Sequence, residues 1–201
     1  MKALTCLLAA ATVLGGAAFA DPAIDAPAPA FSGPTSSGGS ISLDQFKGQN
    51  VVLEWTNDGC PFVQKHYQTG NMQQAQKAAN EMGAVWITVM SSAPGKQGHA
   101  DATRANSLIK EWAAEPDFVL LDPDGVVGKA YGAKTTPQMA LIDKDGVLRY
   151  AGAIDDKPSA NHATVDGAQN YVLAALSSVS KGEAVAVKET KPYGCSVKYK
   201  S

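Results

Sequence analysis

Cys60 is the residue of this chain with the most evident chemistry. It lies in the segment NDGCPF (57–62), between the apolar run 51–55 and a long polar stretch that predicts a helix. Pro61 suits the first helical position, because proline has no N–H to leave unpaired and its φ is fixed near the helical value. The N–H groups of that first turn would face the sulfur and favour thiolate over thiol. The local pattern is equally compatible with a buried structural cysteine, the usual state of a free one.

The first twenty residues indicate the compartment. Met1 and Lys2 precede the apolar stretch 3–14, and small residues then lead to Ala20 in an Ala-x-Ala pattern. This is the pattern of a secretory signal peptide, so we predict cleavage near Ala20 and a periplasmic or secreted mature protein. The apolar stretch is too short to span a membrane and nothing later is longer, so we expect no membrane insertion.

Export limits the roles of the remaining cysteines. Cys6 leaves with the signal peptide, so only Cys60 and Cys195 remain. Two cysteines in an oxidising compartment indicate either a disulfide or a redox pair that cycles through one. Residue 63 is valine, so no CxxC motif is present. The three histidines show no ligand spacing, and we predict no metal site.

Composition sets the domain organisation. The formal net charge is −2 and no basic patch is present, which argues against a nucleic-acid partner. Residues 21–40 are rich in Pro, Ala, Gly and Ser, so we predict a flexible linker there. The remaining length suits one domain, which we place at 41–183, followed by a C-terminal tail, 184–201, that carries Cys195.

Apolar runs and turn signals predict alternating strands and helices. We expect strands at 50–56, 84–91, 117–122, 138–143 and 147–153, helices at 61–82 (bent at 69–70), 101–114 and 165–181, and a helical turn at 128–132. The sequence Lys144-Asp145-Gly146 indicates a hairpin between the last two strands. The order β-α-β-α-β, then a hairpin, then a helix, predicts an α/β thioredoxin-like fold with a central mixed sheet flanked by helices.

Thr136 and Pro137 directly precede the first hairpin strand. Proline cannot donate to a strand ladder, so it fits the first residue of a strand. In thioredoxin-like folds a proline at this point is cis and packs beside the reactive cysteine. The residue before it, here Thr136, offers its backbone to an incoming chain or thiol.

Four segments resemble the peroxiredoxin-like redoxin proteins of bacteria, which belong to the thioredoxin superfamily. They are VVLEWTNDGCPFVQKHY, GAVWITVMSSAPGKQG, YGAKTTPQMALIDKDGVLRYAGAIDD and TKPYGCSVKY. The resemblance implies thiol-dependent redox chemistry without a cofactor. The well-defined peroxidases place Thr three residues before the cysteine and Pro four further back, where this chain has Asn57 and Leu53. Thr56 is displaced by one place, and neither Arg104 nor Arg149 can be matched to the peroxide-polarising arginine.

The resemblance leads to a mechanism with alternatives. We expect the Cys60 thiolate to attack a hydroperoxide or a substrate disulfide, and Cys195 to resolve the product as Cys60–Cys195 with an external thiol reductant. Protein disulfide exchange is the second possibility. The third is a redox-inert binding module in which the same bond is a structural staple, stabilising by about 4–5 kcal/mol for so long a loop. Whether Cys195 pairs within its chain or across a dimer stays open.

Several neighbours of Cys60 are candidates for supporting roles. Glu54 stands in an otherwise apolar strand, where a buried carboxylate could shuttle protons. A solvent-facing glutamate at the strand end is the equal alternative. Thr56 and Asn57 precede the thiol and join Glu54 in the supporting set. His66 lies past the first helical turn, so we expect a surface or packing residue there.

Overall fold

The computed structural model describes residues 21–200, so the predicted signal peptide lies outside the described residues. Nine strands and five α-helices occur in this part of the chain. The strands are β1 (Ser32–Pro34), β2 (Ser40–Ser42), β3 (Val51–Trp55), β4 (Val85–Met90), β5 (Phe118–Leu121), β6 (Thr135–Thr136), β7 (Gln138–Ile142), β8 (Leu148–Gly152) and β9 (Cys195–Ser196). The helices are α1 (Pro61–Gln68), α2 (Asn71–Glu81), α3 (Ala102–Glu111), α4 (Val126–Ala130) and α5 (Tyr171–Ser180).

The central sheet has five strands in the order β5-β4-β3-β7-β8. β3, β4 and β5 run parallel, whereas β7 is antiparallel to β3 and β8 is antiparallel to β7. β3 and β4 are buried along their whole length, as parallel strands covered on both faces should be. The arrangement is the mixed α/β sheet of a thioredoxin-like fold, which confirms the fold predicted from the element order.

Two apolar layers cover the two faces of this sheet. On one face, Met72 and Ala79 of α2 and Leu176 of α5 pack against Trp86 and Tyr150 of the sheet. On the other face, the alternate strand residues join the N-terminal segment, α4 and Val197 of the tail. The tail therefore passes from one face to the other, because Val185 belongs to the first layer.

Most predicted elements are present with small shifts in their bounds. The predicted helix 61–82 is divided into α1 and α2 at Gly70, whose φ of 75° is left-handed and favours glycine. The predicted helix 165–181 begins only at Tyr171, because Asn170 caps it by accepting a hydrogen bond from the Leu173 N–H. The short 3-10 helix His162–Thr164 precedes it.

The prediction of a flexible linker at 21–40 is wrong. Residues 25–28 pair with the outer edge of the central sheet at residues 146–148. One of these hydrogen bonds runs from the Leu148 N–H to Ala26 O at 3.0 Å. Further on, Thr35 bridges Leu120 at the opposite edge of the sheet. Edge strands leave rows of unpaired backbone groups, and a Pro- and Ser-rich segment can cover them without regular structure of its own. Phe31 anchors the segment in the core.

Candidate active site

Cys60 occupies the junction between β3 and α1. It is the N-cap of α1, with extended backbone angles, and Pro61 follows at the first helical position, as the sequence predicts. Asn57 shapes the preceding turn, because its backbone O accepts from the Cys60 N–H at 3.0 Å and its side-chain oxygen accepts from the Gly59 N–H at 3.0 Å. The thiol is fully buried, with 0% of its surface exposed.

Thr136 and Pro137 lie beside the thiol. The Thr136–Pro137 peptide bond is cis, as the sequence predicts. The Cys60 thiol donates a hydrogen bond to the Thr136 carbonyl oxygen at 3.1 Å. Two segments about 76 positions apart in sequence therefore meet at one sulfur atom.

The C-terminal tail brings Cys195 to the same place. β9 pairs antiparallel with β6, so that Cys195 is the partner of Thr136. The Cys195 N–H donates to the Cys60 sulfur at 3.4 Å, and both cysteines are free thiols. Gly194 permits this approach: its φ is 127°, and a Cβ there would collide with the Thr136 carbonyl.

The tail is held on both sides of Cys195. Before it, the Thr190 N–H donates to Ala151 O at 3.2 Å, and the Thr190 hydroxyl lies 2.6 Å from the Tyr150 hydroxyl. After it, the Val197 N–H donates to Lys134 O at 3.0 Å, and the Tyr199 hydroxyl donates to Ala133 O at 2.6 Å. Cys195 is thus part of an ordered surface that covers Cys60, rather than of a loose end.

The two thiols differ in acidity. Burial acts to raise the pKa of Cys60, but hydrogen bonds from the Cys195 thiol, the backbone at Val63 and the backbone of Cys195 outweigh it and lower that pKa. Burial and the hydrogen bond to Cys60 raise the pKa of Cys195 to about 12. Cys60 is therefore the more acidic thiol of the pair, with Cys195 as its hydrogen-bond donor.

Glu54 is buried, so the alternative of a solvent-facing glutamate is wrong. Its carboxylate accepts four hydrogen bonds from the side chains of Tyr67 (2.7 Å), Trp86 (2.9 Å), Thr88 (3.1 Å) and Gln76 (3.5 Å). Burial outweighs these bonds and raises the pKa of Glu54. None of its hydrogen bonds within the described chain reaches Cys60.

Thr56 and Asn57 lie in the loop that leads from β3 to Cys60. Both residues are buried. The Thr56 hydroxyl and the Asn57 side-chain nitrogen have no hydrogen-bond partner in the described part of the protein. Buried polar atoms in proteins are nearly always paired, so this loop holds two uncommitted polar groups.

Neither arginine contacts the thiol. Arg104 is bound to Asp58 at 3.0 Å and to Glu111 at 2.7 Å. Arg149 is bound to Asp143 and Asp25. Both guanidinium groups are therefore engaged by carboxylates.

A polar cluster next to the tail, buried except for one partly exposed tyrosine, was not found from the sequence. It consists of Lys65, His66, Asp155 and Tyr193, which we call the Tyr193 cluster. The Tyr193 hydroxyl donates to Asp155 and lies 3.2 Å from His66 Nε2 and 3.5 Å from Lys65 Nζ. The sequence predicts a surface or packing role for His66, and the fully buried ring excludes the surface position. The placement of Tyr193 two residues before Cys195 is the one sequence signal that could have indicated the cluster.

Within residues 21–200, no group of three His, Cys, Asp or Glu side chains is arranged to hold a metal ion. The same part of the chain contains no helix with the length and apolar character needed to cross a bilayer. The reacting groups that the site does bring together are two thiols, held on a thioredoxin-like sheet between a helix N-terminus and a cis-proline. This combination defines a thiol protein of the thioredoxin superfamily.

Comparison with known families identifies the group within that superfamily. The sequence model of the Redoxin family matches residues 23–170, so the chain belongs to this family. The match includes most of the N-terminal segment, but it ends before Cys195. A comparison with curated proteins finds no match.

Solved structures agree on the fold. A hypothetical protein from Sinorhizobium meliloti aligns with a TM-score of 0.75 at 22% identity, over 90% of this chain and 97% of that chain. An uncharacterised conserved protein from Geobacillus kaustophilus gives 0.76 at 24% identity, over 89% and 93%. The thioredoxin domain of a thiol-disulfide oxidoreductase from Bacteroides vulgatus gives 0.52 at 23% identity, over 73% and 97%.

Proposed function

We propose that this protein is a two-cysteine thiol oxidoreductase that cycles between a Cys60/Cys195 dithiol and a disulfide within one chain. The observation that carries the proposal is the contact between the two cysteines, in which the Cys195 N–H donates to the Cys60 sulfur at 3.4 Å while both thiols are free. Family membership supports thiol redox chemistry, and the lowered pKa of Cys60 supports its role as nucleophile.

A hydroperoxide is the oxidant that fits this site best. The Cys60 thiolate attacks the O–O bond, and the leaving alkoxide takes a proton, which gives Cys60 sulfenic acid and an alcohol, or water from hydrogen peroxide. The Cys195 thiol then attacks the sulfenic sulfur, which releases water and forms the disulfide. Because Cys60 is fully covered, a small oxidant can reach it with less displacement of the tail than a protein could.

The uncommitted polar groups before Cys60 support the same oxidant. The Thr56 hydroxyl and the Asn57 amide are available to donate hydrogen bonds to a small oxygen-containing substrate. Thr56 would thereby take the role of the threonine that precedes the reactive cysteine in the well-defined peroxidases, from a position displaced by one residue.

An external dithiol would complete the cycle. The Cys195 side chain is partly exposed whereas Cys60 is buried, so the reductant thiolate would attack the Cys195 sulfur. Cys60 then leaves as the thiolate of lower pKa, which favours its departure. A second thiol of the reductant attacks the mixed disulfide, which returns two protein thiols and leaves the reductant as a disulfide.

Exchange with protein disulfides is the second candidate, and one observation favours it. Thr136 pairs with an extended chain segment, β9, directly beside the nucleophile. A substrate polypeptide bound in place of β9 would receive the same backbone pairing. That mode requires the tail to leave the site first.

We infer from residues 1–20 that the protein acts outside the cytoplasm, in the periplasm or as a secreted protein. A dithiol that closes to a disulfide suits an oxidising compartment. The mass of the protein recovered from cell fractions would test both the location and cleavage near Ala20.

Stopped-flow oxidation of the reduced mature protein by hydrogen peroxide and by an organic hydroperoxide tests the proposal. We expect fast oxidation that is lost in Cys60→Ser and that stops at sulfenic acid in Cys195→Ser. Oxidation no faster than that of a free thiol would exclude the peroxidase. If the protein then exchanged rapidly with a protein disulfide, the second candidate, protein thiol–disulfide exchange, would be supported instead.

A further inference from the structure

We propose that Tyr193 is the positioning residue for Cys195, anchored in its cluster so that the tail holds the two cysteines within reacting distance. The inference rests on the proposed function in that it concerns the same pair of thiols. It assigns a role to a buried group of side chains that the redox chemistry itself does not use.

The Tyr193 cluster has a single consistent direction of hydrogen bonding. The Asn71 side-chain nitrogen lies 2.6 Å from His66 Nδ1 and can only donate, so Nδ1 is the acceptor and the ring proton resides on Nε2. His66 Nε2 therefore donates to the Tyr193 oxygen, and Tyr193 donates to Asp155. The phenol hydroxyl both accepts and donates, a combination that phenylalanine cannot supply.

Three members of the cluster, Lys65, His66 and Asp155, are buried, and they include opposite charges. Lys65 has 0% and Asp155 2% of its surface exposed, with 3.8 Å between Lys65 Nζ and Asp155 Oδ2. Burial lowers the pKa of His66 to about 3, with a smaller effect of Lys65, so the ring is neutral in ordinary solution. The Lys65 Nζ also lies 5.4 Å from the centre of the Tyr193 ring. Removal of the Tyr193 hydroxyl would leave the buried Asp155 carboxylate without its closest hydrogen-bond donor. The cost of that loss favours the conformation in which Tyr193 stays bound in the cluster.

The anchor acts on Cys195 through very little chain. Only Gly194 separates Tyr193 from Cys195, and that glycine passes directly over the Thr136 carbonyl. The Phe62 ring, in the first turn of α1, lies 5.8 Å from the Tyr193 ring. Tyr193 is thus fixed to the same helix that carries Cys60 at its N-cap, so the distance between the two cysteines is set within one rigid unit.

The consequence is a high effective concentration of the Cys195 thiol at Cys60. Without the hydroxyl of Tyr193, the tail keeps its outer contacts but samples positions in which Cys195 is away from Cys60. Closure of the disulfide then costs more entropy, and its equilibrium constant falls. Cys60 also loses hydrogen-bond donors, so its thiolate form becomes less favoured.

Tyr193→Phe in the full mature chain tests the inference, with Tyr131→Phe as the matched control. Tyr131 is a buried tyrosine, whereas Tyr193 is partly buried, and the Tyr131 hydroxyl donates to a backbone carbonyl, that of Pro29, at 2.6 Å and away from the tail. Each protein is equilibrated with glutathione buffers, in which the disulfide and two glutathione thiols exchange with the dithiol and oxidised glutathione. We expect the equilibrium constant for formation of the Cys60–Cys195 disulfide to fall by about tenfold or more in Tyr193→Phe, which corresponds to about 30 mV in reduction potential, and to change by less than about twofold in Tyr131→Phe.

A second variant and a second readout keep the outcome decisive. Asn71→Ala, which removes the hydrogen-bond donor to His66 Nδ1 and leaves the four residues of the cluster unchanged, should shift the same constant in the same direction by a smaller factor. The midpoint of the pH profile of Cys60 alkylation should rise in Tyr193→Phe and stay unchanged in the control. An unchanged constant in Tyr193→Phe overturns the positioning role and leaves the two-cysteine cycle intact. A wild-type protein that forms no intramolecular disulfide overturns both.

Discussion

The two ends of the described chain, the N-terminal segment 21–40 and the tail 184–200, both lie along the edge strand β8 but differ in what they contribute. The N-terminal segment pairs with the start of β8 and continues to β5, whereas the tail pairs at Ala151 and continues to Cys60. Lys188 and Asp25 join the two ends at 2.6 Å. Both cover open sheet edges, but only the tail brings a reactive side chain to the site. Protection of an edge and construction of an active site can thus use the same kind of irregular segment.

Phe31→Ala should produce the largest effect, and it should affect stability only. The Phe31 ring is buried with its centre 6.3 Å from that of Tyr131, so its loss leaves a cavity that costs about 3–5 kcal/mol of the free energy of unfolding. Denaturant titration measures the loss. Under conditions where the variant is folded, the Cys60–Cys195 equilibrium should match that of the wild type. A weaker disulfide in the folded variant would show that the N-terminal segment also shapes the site.

Glu54→Gln should have the next largest effect. The Glu54 side chain is hydrogen-bonded neither to the N-terminal segment nor to the tail. The amide nitrogen would face donors that now bind a carboxylate, which we expect to cost about 1–3 kcal/mol. The folded pKa of Glu54 is raised above 4.5, so the folded state binds more protons and stability falls as pH rises from 4.5 through the folded pKa. The variant should lack this component of the pH dependence. The free energy of unfolding is measured across this pH range, with Glu115→Gln, a change at an exposed residue, as the control. The expectation would be contradicted if both variants kept the wild-type dependence of this free energy on pH.

Gly194→Ala should affect the tail and spare the fold. A Cβ at residue 194 collides with the Thr136 carbonyl, so β9 must move away and the equilibrium constant for the disulfide should fall by about tenfold or more, equal to 1.4 kcal/mol. Gly167→Ala is the control, because its φ of 70° is also positive and nothing lies within 4 Å of the new Cβ. Equal disulfide constants in the two variants would argue against the close fit of the tail.

Arg104→Ala should have the smallest effect. Its guanidinium is bound by Asp58 and Glu111 and is partly exposed, and such pairs contribute about 0–1 kcal/mol. We expect the rate of Cys60 oxidation to change by less than about fivefold, the factor that corresponds to about 1 kcal/mol. A much slower oxidation would mean that Arg104 leaves its carboxylate partners and serves the substrate.

The reacting residues were predictable because local rules govern them. A cysteine before a helix-starting proline, a proline at a strand entrance and the turn at 144–146 each have a short-range signature, and together they predict the site at Cys60 and Thr136. The packing of residues 21–40 was not predictable, because Ile24 and Phe31 are the only large apolar residues in this Pro-, Ala- and Ser-rich segment and they show no periodicity. The Tyr193 cluster joins residues 90 or more positions apart in sequence, Lys65 with Asp155 and Tyr193, and no local pattern indicates such an encounter.

The most direct test of the account is the mass of the protein after oxidation by one equivalent of hydrogen peroxide, read on the intact chain and on its peptides. The account predicts a monomer in which Cys60 and Cys195 are joined within one chain, with no sulfinic acid on Cys60. A disulfide between two chains, or Cys60 oxidised beyond sulfenic acid while Cys195 stays a free thiol, would contradict it.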